Sequence, residues 1–119
     1  MNLSRDIPVR IGRAIGGFLD ELLKKASLDF SIEKGAAVFA VHPGGPKILD
    51  FAQTGIGLDD AQISASRKVL FDRGNMSSAT IPHIWQEIVE APDVGTGTLV
   101  ISIAFGPGLT VGGSVMRKV

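Results

Sequence analysis

The clearest structural signal lies in residues 36–46, which are Ala36-Ala37-Val38-Phe39-Ala40-Val41-His42-Pro43-Gly44-Gly45-Pro46. Residues 36–41 are apolar throughout, and Gly35 precedes them. A short apolar run between turn residues is typical of a strand that is buried on both faces, in a sheet covered by helices. The prolines and glycines that follow predict a tight turn into a helix. This segment therefore indicates an α/β fold.

An amphipathic helix is predicted before this strand, because apolar side chains recur at three- and four-residue spacing. Asp6 is expected to cap the helix, with Pro8 in its first turn, where a missing N–H costs little. The apolar stripe consists of Ile11, Ile15, Phe18, Leu19, Leu22 and Leu23.

Three further helices are predicted after the strand. The first lies near residues 47–52, and the second runs from about 60 to 72 with Asp59 as its cap. The third begins near Thr80, which caps it unless a preceding serine does, and Pro82 falls in its first turn. Its apolar face consists of Ile81, Ile84, Trp85, Ile88 and Val89.

Two strands are predicted near the end of the chain. Residues 98–105 are rich in β-branched side chains and are the first strand. The turn Gly106-Pro107-Gly108 follows, and residues 109–116 are the second strand, so the pair is predicted to form a hairpin. Gly112-Gly113 is unusual there, because glycine weakens a strand interior. With only three strands predicted, we expect an incomplete sheet flanked by helices, forming one domain over residues 1–119.

The composition excludes several classes of protein. The chain has 12 basic residues (Lys and Arg) and 12 acidic residues (Asp and Glu), so its formal net charge is zero. A strongly basic surface for nucleic acid or anionic lipid is therefore absent. The chain has no cysteine, which rules out disulfides, Cys-ligated metal sites and a thiol nucleophile on this chain. The strongest apolar stretch, residues 99–105, is far shorter than the about 20 residues of a membrane-spanning helix. We therefore expect a cytoplasmic protein that binds neither membranes nor nucleic acids.

Three loops at element junctions are candidate sites, because α/β folds usually place their sites there. They contain His42, Asn75 and the segment Phe105-Gly106-Pro107-Gly108. Each also has an ordinary structural explanation: a strand-end histidine bonded to a carbonyl, a capping asparagine and a rigid hairpin turn. The residues alone therefore predict an α/β domain with a His/Asn site and no specific reaction.

Three motifs, taken in order, resemble those of type III polyketide synthases, the chalcone synthase-like family. Residues 41–50 resemble the family's histidine motif, and residues 66–70 with 74–80 resemble its asparagine motif. Residues 104–111 resemble its Gly-Phe-Gly-Pro-Gly loop. The resemblance covers essentially the whole chain, most firmly from Phe39 onward.

The resemblance implies the C-terminal half of a thiolase-like layered fold in a homodimeric enzyme. Such an enzyme loads an acyl group from an acyl-CoA onto a cysteine, decarboxylates malonyl-CoA and joins the two, with CoA thioesters as substrates and no separate cofactor. His42 matches the family's catalytic histidine and Asn75 its asparagine. N–H groups of both side chains would stabilise the enolate that decarboxylation forms.

The resemblance also implies binding residues. Gly44, Gly45 and Lys47 lie where the family's CoA arm passes, although a solvated side chain explains Lys47 equally well. Ser77 and the segment Phe105-Gly106-Pro107-Gly108 match positions near the acyl cavity, with a helix cap and a turn as their alternative roles.

Two departures from the family pattern lead to further expectations. The family's cysteine lies in an N-terminal half, so we expect this chain to be a C-terminal piece of a longer synthase, inactive in condensation by itself. Ala104 stands where the family usually has the first glycine of its loop, and its methyl group is expected to narrow the cavity or restrict the backbone.

Two other hypotheses stay open. Because the nucleophile is missing, the chain is alternatively a non-catalytic module that binds CoA or a protein partner. A fragment of a ketoacyl-carrier-protein synthase is the other alternative, although Pro43-Gly44-Gly45-Pro46 and the Gly-Pro-Gly loop favour the chalcone synthase-like branch. An exposed sheet edge and apolar interface would lead the chain to self-associate.

Overall fold

The structure is a computed structural model that describes residues 3–42, 46–74, 79–106 and 110–119. Side chains are described from residue 13 onward within these ranges, except at positions 46, 48, 105, 106 and 110. The elements are α1 (Leu3–Lys25), α2 (Phe30–Glu33), β1 (Val38–Val41), α3 (Pro46–Ile56), a 3₁₀ turn (Ala61–Ile63), α4 (Ser64–Arg73), α5 (Thr80–Glu90), β2 (Leu99–Gly106) and β3 (Thr110–Arg117).

The described strands form one sheet in the order β1-β2-β3. β1 runs parallel to β2, with Val38 opposite Val100 and Val41 opposite Ile103. β2 and β3 form the predicted antiparallel hairpin, in which Gly106 lies opposite Thr110. The expectation of an α/β fold with a small sheet flanked by helices is confirmed.

Both faces of the sheet are covered. One face of the sheet packs against α1 and α3 in a first core. The strands contribute Phe39, Val41, Ile101 and Ile103, and the two helices contribute Ile15, Leu19, Leu23, Leu49 and Ala52. Ala40 and Val100 face a second core with Val69 of α4 and Ile84 and Ile88 of α5. The prediction of a strand buried on both faces is therefore confirmed. β1 is shorter than predicted because the N–H groups of Ala36 and Ala37 donate to the carbonyl of Glu33 and form a turn.

Helix α1 begins earlier than predicted. It starts at Leu3, so the expectation that Asp6 caps it is wrong, and Pro8 lies in the second turn. A proline there removes the N–H that would bond the carbonyl of Ser4, four residues earlier, which costs one bond close to the helix start rather than in its centre. Ile15, Leu19 and Leu23 are fully buried, Phe18 and Leu22 are half-buried, and the side chain of Ile11 lies outside the described residues.

The helices after β1 follow the prediction with shifted ends. Asp59 caps the next turn as expected, since its Oδ1 accepts from the N–H of Gln62 at 2.9 Å. Gln62 reciprocates, because its Oε1 accepts from the N–H of Asp59 at 3.1 Å, which completes a capping box. The predicted helix over 60–72 is divided into the 3₁₀ turn and α4. Gly74, with a φ of 70°, ends α4.

Helix α5 begins at Thr80, with Pro82 in its first turn as predicted. Thr80 is the first helical residue, so the expectation that it is the cap is wrong, and Ser77 and Ser78 lie outside the described residues. Val89 departs from the predicted apolar face, because it is 60% exposed. No helix among the described residues is long and apolar enough to cross a membrane.

The short helix α2 was not predicted. Its four residues are too few to show a helical period. It is held by Asp29, whose Oδ1 accepts from the N–H and the hydroxyl of Ser31 at 3.0 and 2.7 Å.

The unusual glycine pair in β3 has a packing explanation at one position. A Cβ at Gly113 would collide with the backbone carbonyl of Ser102 and approach the ring of Phe18 to 3.0 Å, whereas a Cβ at Gly112 would meet nothing within 4 Å. Gly113 thus lets α1 and β2 approach the third strand closely.

We therefore predict that Gly113→Ala destabilises the chain by about 1–3 kcal/mol, the usual cost of overpacking. Gly112→Ala is the matched control and is expected to leave stability unchanged or raise it slightly, because alanine restricts the unfolded chain. Urea unfolding followed by circular dichroism measures both. Equal effects of the two substitutions would contradict this account.

Candidate functional site

The candidate site lies at the carboxyl edge of the two parallel strands. β1 ends at Val41 and His42 follows it directly, while the neighbouring β2 runs on to Gly106. The backbone N–H of His42 donates to the carbonyl of Ile103 at 2.9 Å, so the pairing of the strands extends to the histidine itself. The side chain of His42 is half-buried. Carboxyl ends of parallel strands are where open α/β sheets bind ligands.

Helix α4 ends at the same edge. The side chain of Gln62, just before it, donates to the carbonyl of Ala37 at 2.9 Å, ahead of the start of β1. One turn later the hydroxyl of Ser66 accepts from the N–H of Val41 at 2.9 Å, at the end of β1. The helix thus advances in the same direction as the strand, and it ends at Gly74 beyond the strand's carboxyl end.

Helix α5 runs in the opposite direction and begins at this edge. Trp85 Nε1 donates to the hydroxyl of Ser102, near the middle of β2, at 2.7 Å. Ile88, one turn further along, packs with Val100 near the start of β2. The amino end of α5 at Thr80 therefore lies toward the carboxyl end of the sheet.

The structure thus brings together the elements that flank all three candidate loops. His42 is described, and Phe105 and Gly106 are described in backbone as the end of β2. The remaining predicted loop residues lie outside the described residues, namely Gly44, Gly45, Asn75, Ser77, Pro107 and Gly108. Lys47 is exposed in the first turn of α3. This position is compatible both with a contact to the CoA arm and with a solvated side chain.

Ser66 is a site-supporting residue that sequence reasoning missed. It is fully buried, and its hydroxyl also donates to the carbonyl of Phe39 at 3.2 Å. The sequence contains a signal for this, because Ser66 lies at three-residue spacing between Ile63 and Val69 and so interrupts an apolar helix face. All three residues are buried.

Polar side chains tie α4 to the helices on both sides. Arg67 donates through one nitrogen to Asp50 Oδ1 and Gln53 Oε1 of α3, both at 2.8 Å. Lys68 donates to Glu87 Oε2 of α5 at 3.1 Å. This hydrogen bond, and then the charge of Glu87, raise the pKa of Lys68 above its ordinary value. Helix α4 therefore holds the helices that follow the His42 loop and the Asn75 loop.

Ala104, the departure from the family loop, lines a cavity of about 230 Å³ between α5 and the hairpin. Trp85 lines the cavity on the helix side, and Ser102 and Gly112 line it on the strand side. The cavity adjoins the carboxyl edge of β2, so the Ala104 methyl group lies near the candidate site. Within the described residues, no group of three or more metal-ligating side chains is close enough to hold a metal ion.

Comparison with known proteins places this geometry in a family. The family model described as "Chalcone and stilbene synthases, C-terminal domain" matches residues 1–119. Type III polyketide synthase A of Arabidopsis thaliana is 37% identical in an alignment 120 residues long, which covers 98% of this chain and 30% of that protein. Probable polyketide synthase 1 of Dictyostelium discoideum is 35% identical in an alignment 121 residues long, which covers 100% of this chain and 4% of that protein.

Solved structures show the same similarity. The C-terminal type III polyketide synthase domain of Steely1, a type I/III hybrid from Dictyostelium, superposes with a TM-score of 0.82 at 35% identity, over 96% of this chain and 31% of that one. PKS-I of the brown alga Ectocarpus siliculosus has a TM-score of 0.76 at 29% identity, over 98% of this chain and 31% of that one. The chain thus spans about a third of these solved chains.

The bond between Trp85 and Ser102 allows a direct test of how α5 is held on the sheet. We expect Ser102→Ala to destabilise the chain by about 1 kcal/mol, because the indole N–H loses its partner. Trp85 is the only tryptophan, so its fluorescence should also shift to longer wavelength as the N–H turns to water. Ser114→Ala, at the position opposite Ser102 in β3, is the control and should change neither quantity. An unchanged emission spectrum of Ser102→Ala would refute the predicted role of this bond.

Proposed function

The chain belongs to the chalcone and stilbene synthases, as their C-terminal domain, and on this basis we propose that the intact protein is a type III polyketide synthase. It condenses an acyl-CoA starter with malonyl-CoA by decarboxylative Claisen condensation. The observation that carries the proposal is the family match over residues 1–119, together with relatives that are named polyketide synthases. In this proposal the chain supplies the C-terminal domain of the synthase, which is the part that the family model describes; it spans 30% of the plant relative.

In this proposal His42 and Asn75 are two members of a Cys-His-Asn catalytic set. Loss of carbon dioxide from malonyl-CoA leaves an enolate whose negative charge resides on the thioester oxygen. Side-chain N–H groups of His42 and Asn75 donate to that oxygen and stabilise it. The position of His42 at the carboxyl edge of β1, next to the end of β2, supports this role. The nucleophilic cysteine comes from the N-terminal part, because this chain has none.

The substrate-binding residues follow the same assignment. Gly44 and Gly45 allow the CoA arm to approach the backbone closely. In this assignment Lys47, which is exposed at the start of α3, interacts with the phosphates of CoA. Ser77 and the segment Phe105-Gly106-Pro107-Gly108 form part of the acyl cavity. No separate cofactor is proposed, and the homodimeric state and cytoplasmic location stay predictions.

The size of the native protein is the first test. An antibody raised against this chain, used on a lysate of the source cells, is expected to detect a product about three times as long, as in the plant relative. A product of 119 residues would overturn the synthase assignment and favour a stand-alone module that binds CoA or a protein partner.

The catalytic assignment is tested in the intact protein with malonyl-CoA decarboxylation as the assay. His42→Ala and Asn75→Ala are each expected to lower the rate by about a hundred- to thousandfold, the usual cost of losing one donor to a developing oxyanion. His83→Gln is the control and should keep full activity, because the His83 ring is bonded to the carbonyl of Ala79, just before its own helix. Wild-type rates in either alanine variant would contradict the assignment.

The isolated chain supplies a further control. We expect no acyl-enzyme on it after incubation with an acyl-CoA, because it offers no thiol for thioester formation. A stable acyl adduct detected by mass spectrometry would refute this expectation.

A further inference from the structure

One buried side chain satisfies two backbone groups on the free edge of β1. Within the described sheet β1 pairs with β2 on one side only, which leaves alternate backbone groups pointing away from the sheet. Ser66 satisfies two of them, since its hydroxyl accepts from the N–H of Val41 at 2.9 Å and donates to the carbonyl of Phe39 at 3.2 Å. Because Ser66 is fully buried, water does not reach this site to replace the hydroxyl.

These bonds surround the backbone that carries His42. The N–H of Val41 is held by Ser66 of α4, and the next N–H, that of His42, is held by the carbonyl of Ile103 of β2. Successive backbone groups are therefore fixed from opposite sides, one by a helix and one by a strand. Loss of either bond leaves a buried N–H without a partner, which favours a shifted or more mobile strand end.

We propose that Ser66 is a positioning residue for His42. Its hydroxyl fixes the end of β1 so that the imidazole points at the reacting thioester rather than moving with a loose strand end. The catalytic part of this inference rests on the proposed function, whereas the restraint on the backbone does not. Small displacements of a catalytic group have large effects on rate, so a residue that never touches substrate still matters for turnover.

Nuclear magnetic resonance on the 119-residue chain tests the restraint directly. Ser66→Ala is expected to increase the hydrogen-exchange rates of the Val41 and His42 amides by about tenfold or more, because one bond is lost and the neighbouring bond is weakened. The ring signals of His42 are expected to shift, and His83→Gln identifies them, since the chain has two histidines. Unchanged exchange at both amides would overturn the proposal.

Two further variants separate positioning from general stability. Ser66→Thr keeps the hydroxyl and is expected to restore slow exchange, and Ser64→Ala, on the exposed side of the same helix, is expected to change nothing at Val41 or His42. If Ser66→Ala does not fold, Ser66→Cys keeps the shape with a much weaker hydrogen-bonding group and serves in its place. Equal acceleration of exchange at all amides would indicate a merely structural role and overturn the proposal.

The intact synthase provides the catalytic readout. Ser66→Ala is expected to lower kcat for malonyl-CoA decarboxylation about tenfold with little change in KM, and Ser66→Thr to recover most of it. A normal kcat in Ser66→Ala would overturn the positioning role. An inactive wild-type protein would instead refute the proposed function, while the exchange data on the chain would still decide whether Ser66 holds the end of β1.

Discussion

The parallel pairing of β1 with β2 is the constraint on which the site depends. It brings together two segments that are distant in sequence, and it aligns their carboxyl ends so that His42 lies beside the end of β2. Burial of both sheet faces stabilises the pairing, because Phe39 and Val41 face one core while Ala40 faces the other. Since parallel pairs are stable only when both faces are covered, the helices on each side are needed for the site as well as for the core.

Helix α4 has a central place in this arrangement. Its neighbouring residues Ser66, Arg67 and Lys68 reach β1, α3 and α5 respectively, so one short helix contacts the elements that precede or follow two of the candidate loops. The exposed ion pair of Lys68 with Glu87 adds little stability by itself. The hydrogen bonds of Ser66 are buried, so water cannot replace them when they are lost. The bonds of Ser66 to Val41 and Phe39 therefore contribute more to holding the end of β1 than the exposed ion pair does.

Much of the fold followed from the sequence, because apolar periodicity and turn residues are local signals. The strand before His42, the hairpin and the cap at Asp59 were all predicted correctly. Failures occurred where local signals compete or are absent: Asp6 offered a cap, but the helix continues to Leu3, and α2 is too short to show a period. The bonds of Ser66 were not predicted because they join residues far apart in the chain. The roles of His42 and Asn75 rest on family resemblance, which no local rule supplies, and they stay predictions.

The order of the strands has a consequence for how the chain folds during synthesis. Val41 pairs with Ile103, about sixty residues later, so β1 leaves the ribosome long before its neighbour exists. Until the last strands are made, helices alone protect the apolar run at 38–41, and Ser66 is the first partner available to its backbone. While the residues between β1 and β2 are made, the nascent chain therefore carries an unpaired apolar strand, and truncation before β2 would leave that strand as a site for aggregation or chaperone binding.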